Sequence, residues 1–385
     1  MHSTDTPTLE GQVAETNAGF FLNEFSFSQT QIKIPNQTQV ELADHVVFID
    51  DILIVFQLKQ RNEQTTDPEK EISWFQNKIL KLAAKQIRET ISYFEKTNIS
   101  LTNDRGHVVD LPRGLSGYQV LKIIVYSPGQ KLPEIAMRQK GHLSSSAGFI
   151  HVLRLRDYNG LLRSLITLPE IVDYFAYRER LCLAFPAETN ILPEQALVGH
   201  YIRGDESMRP IESDAANLSS LASPDSFDIL GILQKFKDKT YTTKTESGLS
   251  AGNEYYKILK ELLYLNRSAL RLFKERLMWA WNKCGGDLVI PARFMVPDRG
   301  CGFVFIPISK EDEYRAELIL NNITTLAKYE SRFNRYLGIA FRRDGEYRLL
   351  DWMYCEGEWK EAPEIEAVLK TAPFRPLKPA NVPRY

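Results

Sequence analysis

The stretch that most constrains this chain is Val40–Arg61, VELADHVVFIDDILIVFQLKQR. Two apolar, β-rich runs, Val40–Ile49 and Ile52–Gln57, flank Asp50-Asp51, a pattern that predicts a hairpin with a two-residue loop. With that loop, Asp44 falls opposite Gln57. Side chains alternate along a strand, so Lys59 shares Gln57's face. The flanking Val46, Val47, Phe48, Ile54, Val55 and Phe56 are apolar on both faces, as expected for central strands covered on both sides. Such strands, in a chain that alternates strand and helix patterns, fit an α/β architecture.

The rest of the first half fits this expectation. Residues 1–17 read as a loose tail. Phe20–Ile34 mixes apolar and polar residues, and Pro35–Thr38 reads as a turn. Glu71–Lys96 carries Ile79, Leu82, Ala83, Ile87, Ile91 and Phe94 at helical spacing. Leu121–Tyr126 and Gly148–Leu155 read as strands and Leu168–Phe185 as a helix. Residues 203–228, richer in Ser, Asp and Pro, read as a surface excursion, and Lys237–Asn253 reads as a linker. Beyond it lie a long helix over Glu254–Asn282 and strands at Asp287–Phe294 and Gly302–Ile306. A helix over Glu311–Phe333, a hairpin (Tyr336–Phe341 with Tyr347–Tyr354) and a short helix near Glu364–Thr371 follow. The expected division is a domain over 18–200, an excursion and linker over 201–252, and an α+β domain over 253–385. A chain of 385 residues is long enough for two such cores.

Polar groups at the end of buried strands are costly unless they are paired or used. An ion pair between Asp44 and Lys59 at the sheet end is the plainer account. Phosphodiester hydrolysis supplies a use: a carboxylate and an amide oxygen hold a hard divalent cation, and an adjacent lysine orients water or stabilises developing charge. Asp, a hairpin, then Gln-x-Lys resembles the PD-(D/E)XK nuclease superfamily, which includes restriction endonucleases and Holliday-junction resolvases. The resemblance covers the N-terminal half only. It implies a restriction-endonuclease-like α/β fold, a mixed sheet flanked by helices, with Asp44 and Gln57 as ligands of Mg²⁺ (or Mn²⁺) and Lys59 as the catalytic lysine. Glu24 is the candidate for the family's upstream acid, assisting the metal. Gln57 stands where the family usually has an acid, which removes one negative charge. Ala43 precedes Asp44 in place of proline. Gln86 is followed four residues later by Thr90, not by the tyrosine of one family subtype.

The resemblance further implies a DNA substrate, with RNA as an alternative, and a homo-oligomer, since cutting two strands needs two sites. A nuclease-like half joined to an unfamiliar half, with no motor of its own, is similar to bacterial antiphage defence effectors. A protein partner supplying activation is compatible with this. The opposing expectation is a catalytically inactive nuclease fold kept for binding or assembly, and Gln57 is the residue that favours it. Lys78, Lys81, Lys85 and Arg88 follow helical spacing and form a basic stripe, either a solvated face or a phosphate contact. Asp50 and Asp51 are assigned to the turn. His45 faces away from Asp44, and His151 is expected to be a satisfied core histidine.

A net charge of −1 means that any phosphate-binding surface is local. The four cysteines (Cys182, Cys284, Cys301, Cys355) lack C-x-x-C spacing, which argues against structural zinc and for reduced thiols in a cytoplasmic protein. The N-terminus is polar and acidic, unlike a signal peptide. The longest apolar run, Ile52–Phe56, is too short for a membrane span. No G-x-x-x-x-G-K-[ST] motif occurs. On the helix over 254–282, Arg267, Arg271, Lys274 and Arg276 with Trp279 and Trp281 are a candidate surface, diluted by Glu254 and Glu261.

Overall fold

The structure, a computed structural model, describes residues 8–32, 40–63, 65–103, 108–221, 228–229, 254–287, 290–345, 347–371 and 374. The chain forms two compact units, Met1–Leu221 and Ala222–Tyr385. The expected linker at 237–253 lies outside the described residues.

The first unit is built on a six-stranded mixed sheet. In chain order its strands are β1 (Ser26–Ile32), β2 (Val40–Ile49), β3 (Ile52–Gln60), β6 (Gln119–Ser127), β7 (Gly141–Ser144) and β8 (Gly148–Arg154), arranged in space as β1-β2-β3-β6-β8-β7. The small ribbon β4 (Ile99–Thr102) and β5 (Val108–Leu111) lies outside this sheet. β1, β2 and β3 form an antiparallel meander, while β3, β6 and β8 run parallel. The β2–β3 register is the expected one: Ile49 faces Ile52 and His45 faces Phe56. Asp50 takes φ +56° in the two-residue loop, a left-handed conformation that aspartate tolerates.

Helices cover both faces. α1 (Leu9–Phe21) corrects the expected loose tail over residues 1–17. Thr8 caps it by accepting the Gly11 N–H, and Leu9, Val13, Asn17 and Phe21 are buried. Only one stripe at four-residue spacing is used, and its Asn17 is polar, so the helix has almost no apolar signature. On the other face runs the helix after the hairpin: α2 (Pro68–Trp74), a π-helical segment (Phe75–Ala83) and α3 (Ala84–Lys96). Its Phe75, Ile79, Ala83 and Ile87 pack on Ile124, Tyr126, Ile150 and Val152. Phe94 packs with Leu42, Val46, Leu53 and Val55.

The short α4 (Glu134–Met137) precedes β7, and α5 (Leu155–Ser164), α6 (Leu168–Ala184), α7 (Pro186–Thr189) and α8 (Glu194–Arg203) follow β8. A fully buried charge network ties them to the sheet. Arg178 of α6 donates to both Glu194 oxygens, to the Lys140 and Val152 carbonyls, and lies 3.1 Å from His151 Nδ1. Burial alone would push the Glu194 carboxyl up, but Arg178 and Lys140, with the Tyr174 hydroxyl, hold it down at about 2. The expected surface excursion over 203–228 is corrected in part. Glu212–Ser220 forms a 3₁₀ segment with buried Asp214, and it packs so closely on α8 that a Cβ at Gly199 would collide with Asp214 backbone.

The second unit is a four-stranded sheet, β12 (Tyr347–Glu356), β11 (Arg335–Asp344), β10 (Cys301–Pro307) and β9 (Ala292–Val296), in that spatial order. The long helix expected over 254–282 is two helices, α9 (Glu254–Leu263) and α10 (Arg267–Lys283), because the Asn266 side chain caps a new start at Ala269 N–H. Phe273 of α10 packs edge-on to Phe303 and Phe305. α11 (Ala316–Ser331) packs on Val304 and Ile306, whose side chains alternate with those phenylalanines along β10. α12 (Pro363–Thr371) is the last helix among the described residues. Arg267 is buried, Arg276 pairs with Glu275, and Trp281 lies beneath Arg348, so the basic residues of this helix do not form one exposed stripe.

Candidate functional site

Parallel strands β3, β6 and β8 end along one edge of the first sheet, and Lys59, Tyr126 and Arg154 stand side by side there in register. In such sheets the carboxyl ends of the strands are where backbone groups and loops are free to bind ligands. The β2–β3 ladder stops at His45 and Phe56, one residue short of Asp44 and Gln57. In place of the next rungs, the Asp44 carboxylate accepts the Leu58 N–H at 2.6 Å.

Asp44, Gln57 and Lys59 come together as their spacing predicts. Lys59 Nζ donates to Asp44 Oδ2 at 3.2 Å, to Gln57 Oε1 at 3.3 Å and to the Leu58 carbonyl at 3.0 Å. A carboxylate, an amide oxygen and a peptide oxygen thus converge on one cationic atom. That donor set, all hard oxygens, suits Mg²⁺ or Mn²⁺. Gln57 is buried, and the Asp44 and Lys59 side chains are only 11% and 17% exposed, so the group opens to solvent through a narrow face. Among the described residues, no three His, Cys, Asp or Glu side chains group as a ready-made metal cluster.

Glu24 is not brought to this group. It lies buried in the 3₁₀ turn Asn23–Phe25, just before β1. The β1–β2 register sets Ser26 against Val47, which places Glu24 level with Ile49. That is the loop end of the hairpin, on the order of 16 Å along the strand from Asp44. Asp50 and Asp51 occupy that same distant end. The end of α1 that reaches the site's edge is its start, where Leu9 N–H donates to the Gln60 side chain at 3.0 Å. Gln60 gave no sequence signal beyond its place after Lys59.

Lys78, Lys81, Lys85 and Arg88 are all exposed, on the side of the helix away from its buried positions. Lys81 is bonded to Asn77 and Lys85 pairs with Glu89 at 3.6 Å. The structure therefore leaves this stripe facing solvent. Gln86 behaves differently. The Thr90 hydroxyl, one turn on, donates to the Leu42 carbonyl of β2, two residues before Asp44, and the Gln86 amide oxygen is buried without a hydrogen-bond partner among the described residues.

His45 lies on the opposite face, as expected. It is buried beside Phe56, bonds Ser28 through Nδ1, and burial pushes it down to about 4. His151 is likewise buried, and burial with the nearby Arg178 charge holds it well below the ordinary histidine value. The four cysteines are free thiols. Among the described residues no helix is long and apolar enough to cross a membrane.

Two groups at the same edge escaped sequence reasoning. Arg61, two residues beyond Lys59, donates to Glu71 at 2.9 Å and to Glu63 at 3.0 Å, and its guanidinium lies 5.9 Å from the Trp74 ring. Glu71, on the first helix after the hairpin, is fully buried. Its position in the 3.6-residue pattern, one turn before Phe75, was the available signal.

No protein family, no curated protein and no solved structure matches the chain.

Proposed function

We propose that this protein is a metal-dependent nuclease that hydrolyses DNA phosphodiester bonds at the Asp44–Gln57–Lys59 group. The observation that carries this is the convergence of Asp44 Oδ2, Gln57 Oε1 and the Leu58 carbonyl on Lys59 Nζ at 3.0–3.3 Å. A place where three oxygens surround an ammonium is a place that suits a hard cation. A bound divalent cation would polarise a phosphate and acidify a water molecule. Asp44 and Gln57 would orient that cation, and Lys59 would stabilise charge developing on the phosphate oxygens. The order helix, three-stranded meander, helix, parallel strand, as in α1, β1–β3, α2–α3 and β6, also supports a restriction-endonuclease-like fold. A homo-oligomer, with one site for each DNA strand, and a role in antiphage defence belong to the same proposal.

Gln57 supports a second account, a nuclease fold kept for binding or assembly, because a neutral ligand leaves the site with one carboxylate balanced by one ammonium. The discriminating experiment incubates purified protein with supercoiled plasmid, linear DNA and RNA, with Mg²⁺, Mn²⁺ or chelator, comparing wild type with Lys59→Ala. Metal-dependent cutting that the substitution abolishes is the expected result, and the substrate cut separates DNA from RNA. Cutting that survives in Lys59→Ala would remove the site from this hairpin. DNA binding without cutting would favour the assembly account.

A further inference from the structure

An edge strand offers a row of N–H and C=O groups to any strand that comes beside it, and soluble proteins blunt such edges with short strands, bulges, lysine or proline. Of the four outer strands of the two larger sheets, three are blunted in this way. β7 has four residues, β9 has five, and the β1–β2 register shifts between Thr30 and Gln31. β12 is the exception. It has ten residues, Tyr347–Glu356, with no proline or lysine among them, and it pairs with β11 along its whole length with no register shift. Among the described residues no further strand lies beyond it.

We propose that β12 is the interface between two copies of this chain, joined antiparallel across a two-fold axis into one continuous sheet. This gives the homo-oligomer proposed above a location, and it does not depend on the cation account of Asp44. Backbone direction is the first support. Just past the strand end, the Gly357 N–H donates to the Asn334 carbonyl at 2.9 Å, in line with the β11–β12 register. Backbone groups alternate in direction along an antiparallel strand. The odd-numbered residues of β12 therefore address β11, and the even-numbered ones, including Arg348, Leu350, Tyr354 and Glu356, address the outer edge. Phe341, opposite Leu350, agrees with this parity, since its carbonyl accepts from Ile308 on the side away from β12.

Charge is the second support, and it selects a second copy as the occupant. A two-fold interface sets the same surface against itself, so outward-facing residues of one copy must meet outward-facing residues of the other. The outward set begins with a cation, Arg348, and ends with an anion, Glu356. An antiparallel copy brings opposite ends together. One register then sets Arg348 against Glu356 of the second copy, Leu350 against its Tyr354, and, by symmetry, repeats both contacts. It pairs on the order of 30 Å of strand and closes about ten backbone hydrogen bonds. Shifting by two residues keeps the parity but sets Arg348 against Tyr354 or Glu356 against Leu350, and both charge contacts are lost. The two charges also stand where a partner can reach them. Arg348 lies 5.3 Å from the Trp281 ring, and Glu356, its side chain 47% exposed, pairs with Lys257 at 2.6 Å on the same face.

The test is analytical ultracentrifugation of the full-length chain over a range of concentrations, without metal or nucleic acid. Wild type, Leu350→Pro, Arg348→Glu, Glu356→Arg and the double variant Arg348→Glu with Glu356→Arg are compared, each checked for folding by circular dichroism. Wild type is expected to dimerise. Leu350→Pro removes an outward N–H that β11 does not use, and it is expected to leave a folded monomer. Each single reversal sets like charges opposite each other twice and is expected to weaken the dimer about tenfold. The double variant is expected to recover most of that loss. Positions 348 and 356 lie on the order of 27 Å apart within one copy, so recovery reports contact between copies. The double variant restores neither the Trp281 nor the Lys257 contact, so recovery cannot come from those. A monomeric wild type overturns the inference, as does a dimer that a folded Leu350→Pro leaves intact or a double variant no tighter than the single ones. Should Leu350→Pro fail to fold, the charge variants decide alone. Neither metal nor substrate enters the measurement, so a monomer here leaves the Asp44 site standing, and absence of metal-dependent cutting leaves this interface standing.

Discussion

Replacing Lys59 by methionine should make the protein bind a divalent cation more tightly while abolishing hydrolysis. Lys59 Nζ sits within 3.3 Å of Asp44 Oδ2, Gln57 Oε1 and the Leu58 carbonyl, the same oxygens a cation would use. A unit charge and a divalent ion about 4 Å apart repel by about 2 kcal/mol in water and about 8 kcal/mol at an effective dielectric of 20. The lower figure is the floor for this little-exposed pair, reached because the flexible lysine stem can swing aside. About 2 kcal/mol corresponds to roughly thirtyfold tighter binding. Methionine preserves the unbranched stem, so packing against the strand changes little. The assay is Mn²⁺ titration of wild type and Lys59→Met at fixed pH and about 0.1 M salt, where long-range charge effects are screened. Asp44→Asn serves as the control that loses binding. Affinity that is unchanged or weaker in Lys59→Met would refute the idea that the ammonium occupies the cation's seat, and the convergence would then be an ion pair closing a sheet end.

Four other consequences concern stability. Glu194→Gln should cost about 3–5 kcal/mol, because it strands the fully buried Arg178, and urea denaturation with an unshifted midpoint would contradict this. The Glu194 carboxyl is held down at about 2, below its ordinary 4.5. Its contribution should be present above pH 4.5 and lost as pH falls through 2. His45 behaves in the opposite charge sense. It stays neutral in the fold down to about pH 4, while the unfolded chain takes up a proton near 6.5, so acidification through that window should destabilise the protein, by up to about 3 kcal/mol. Comparing the pH slopes of wild type and His45→Gln isolates this from the parallel effect of His151, and identical slopes would refute it. Thr90→Val should cost about 1–3 kcal/mol by leaving the Leu42 carbonyl without its donor, measurable as a lower thermal midpoint, and an unaltered midpoint would show that this bond adds nothing.

The hairpin was legible from residues alone because both of its determinants are local. Asp50-Asp51 sets the loop, alternation sets the faces, and together they bring Asp44 to Gln57 and Lys59. The following helix and the strands β6 and β8 were legible for the same reason, since each shows its own period. The opening helix was not, because one four-residue stripe containing Asn17 is too weak a pattern over thirteen residues. The break at Asn266 was hidden because apolar periodicity continues across it, while the cap that restarts the helix is a single side-chain bond.

Position along a strand, by contrast, is decided only when strands from different parts of the chain align. Glu24 lies near the hairpin in sequence, yet the β1–β2 register carries it to the loop end. Glu71 lies twelve residues beyond Lys59, yet Arg61 and the helix start return it to the edge where β3 and β6 finish. The burial of Arg178 also depends on partners more than a dozen residues away, Glu194, Lys140 and His151, whose meeting no local pattern encodes. Short-range periodicity therefore determined the hairpin and its three candidate residues. Which further charges reach that edge of the sheet, and which are sealed in the core, was decided by non-local packing, where burying a charge is tolerable only once its partner has arrived.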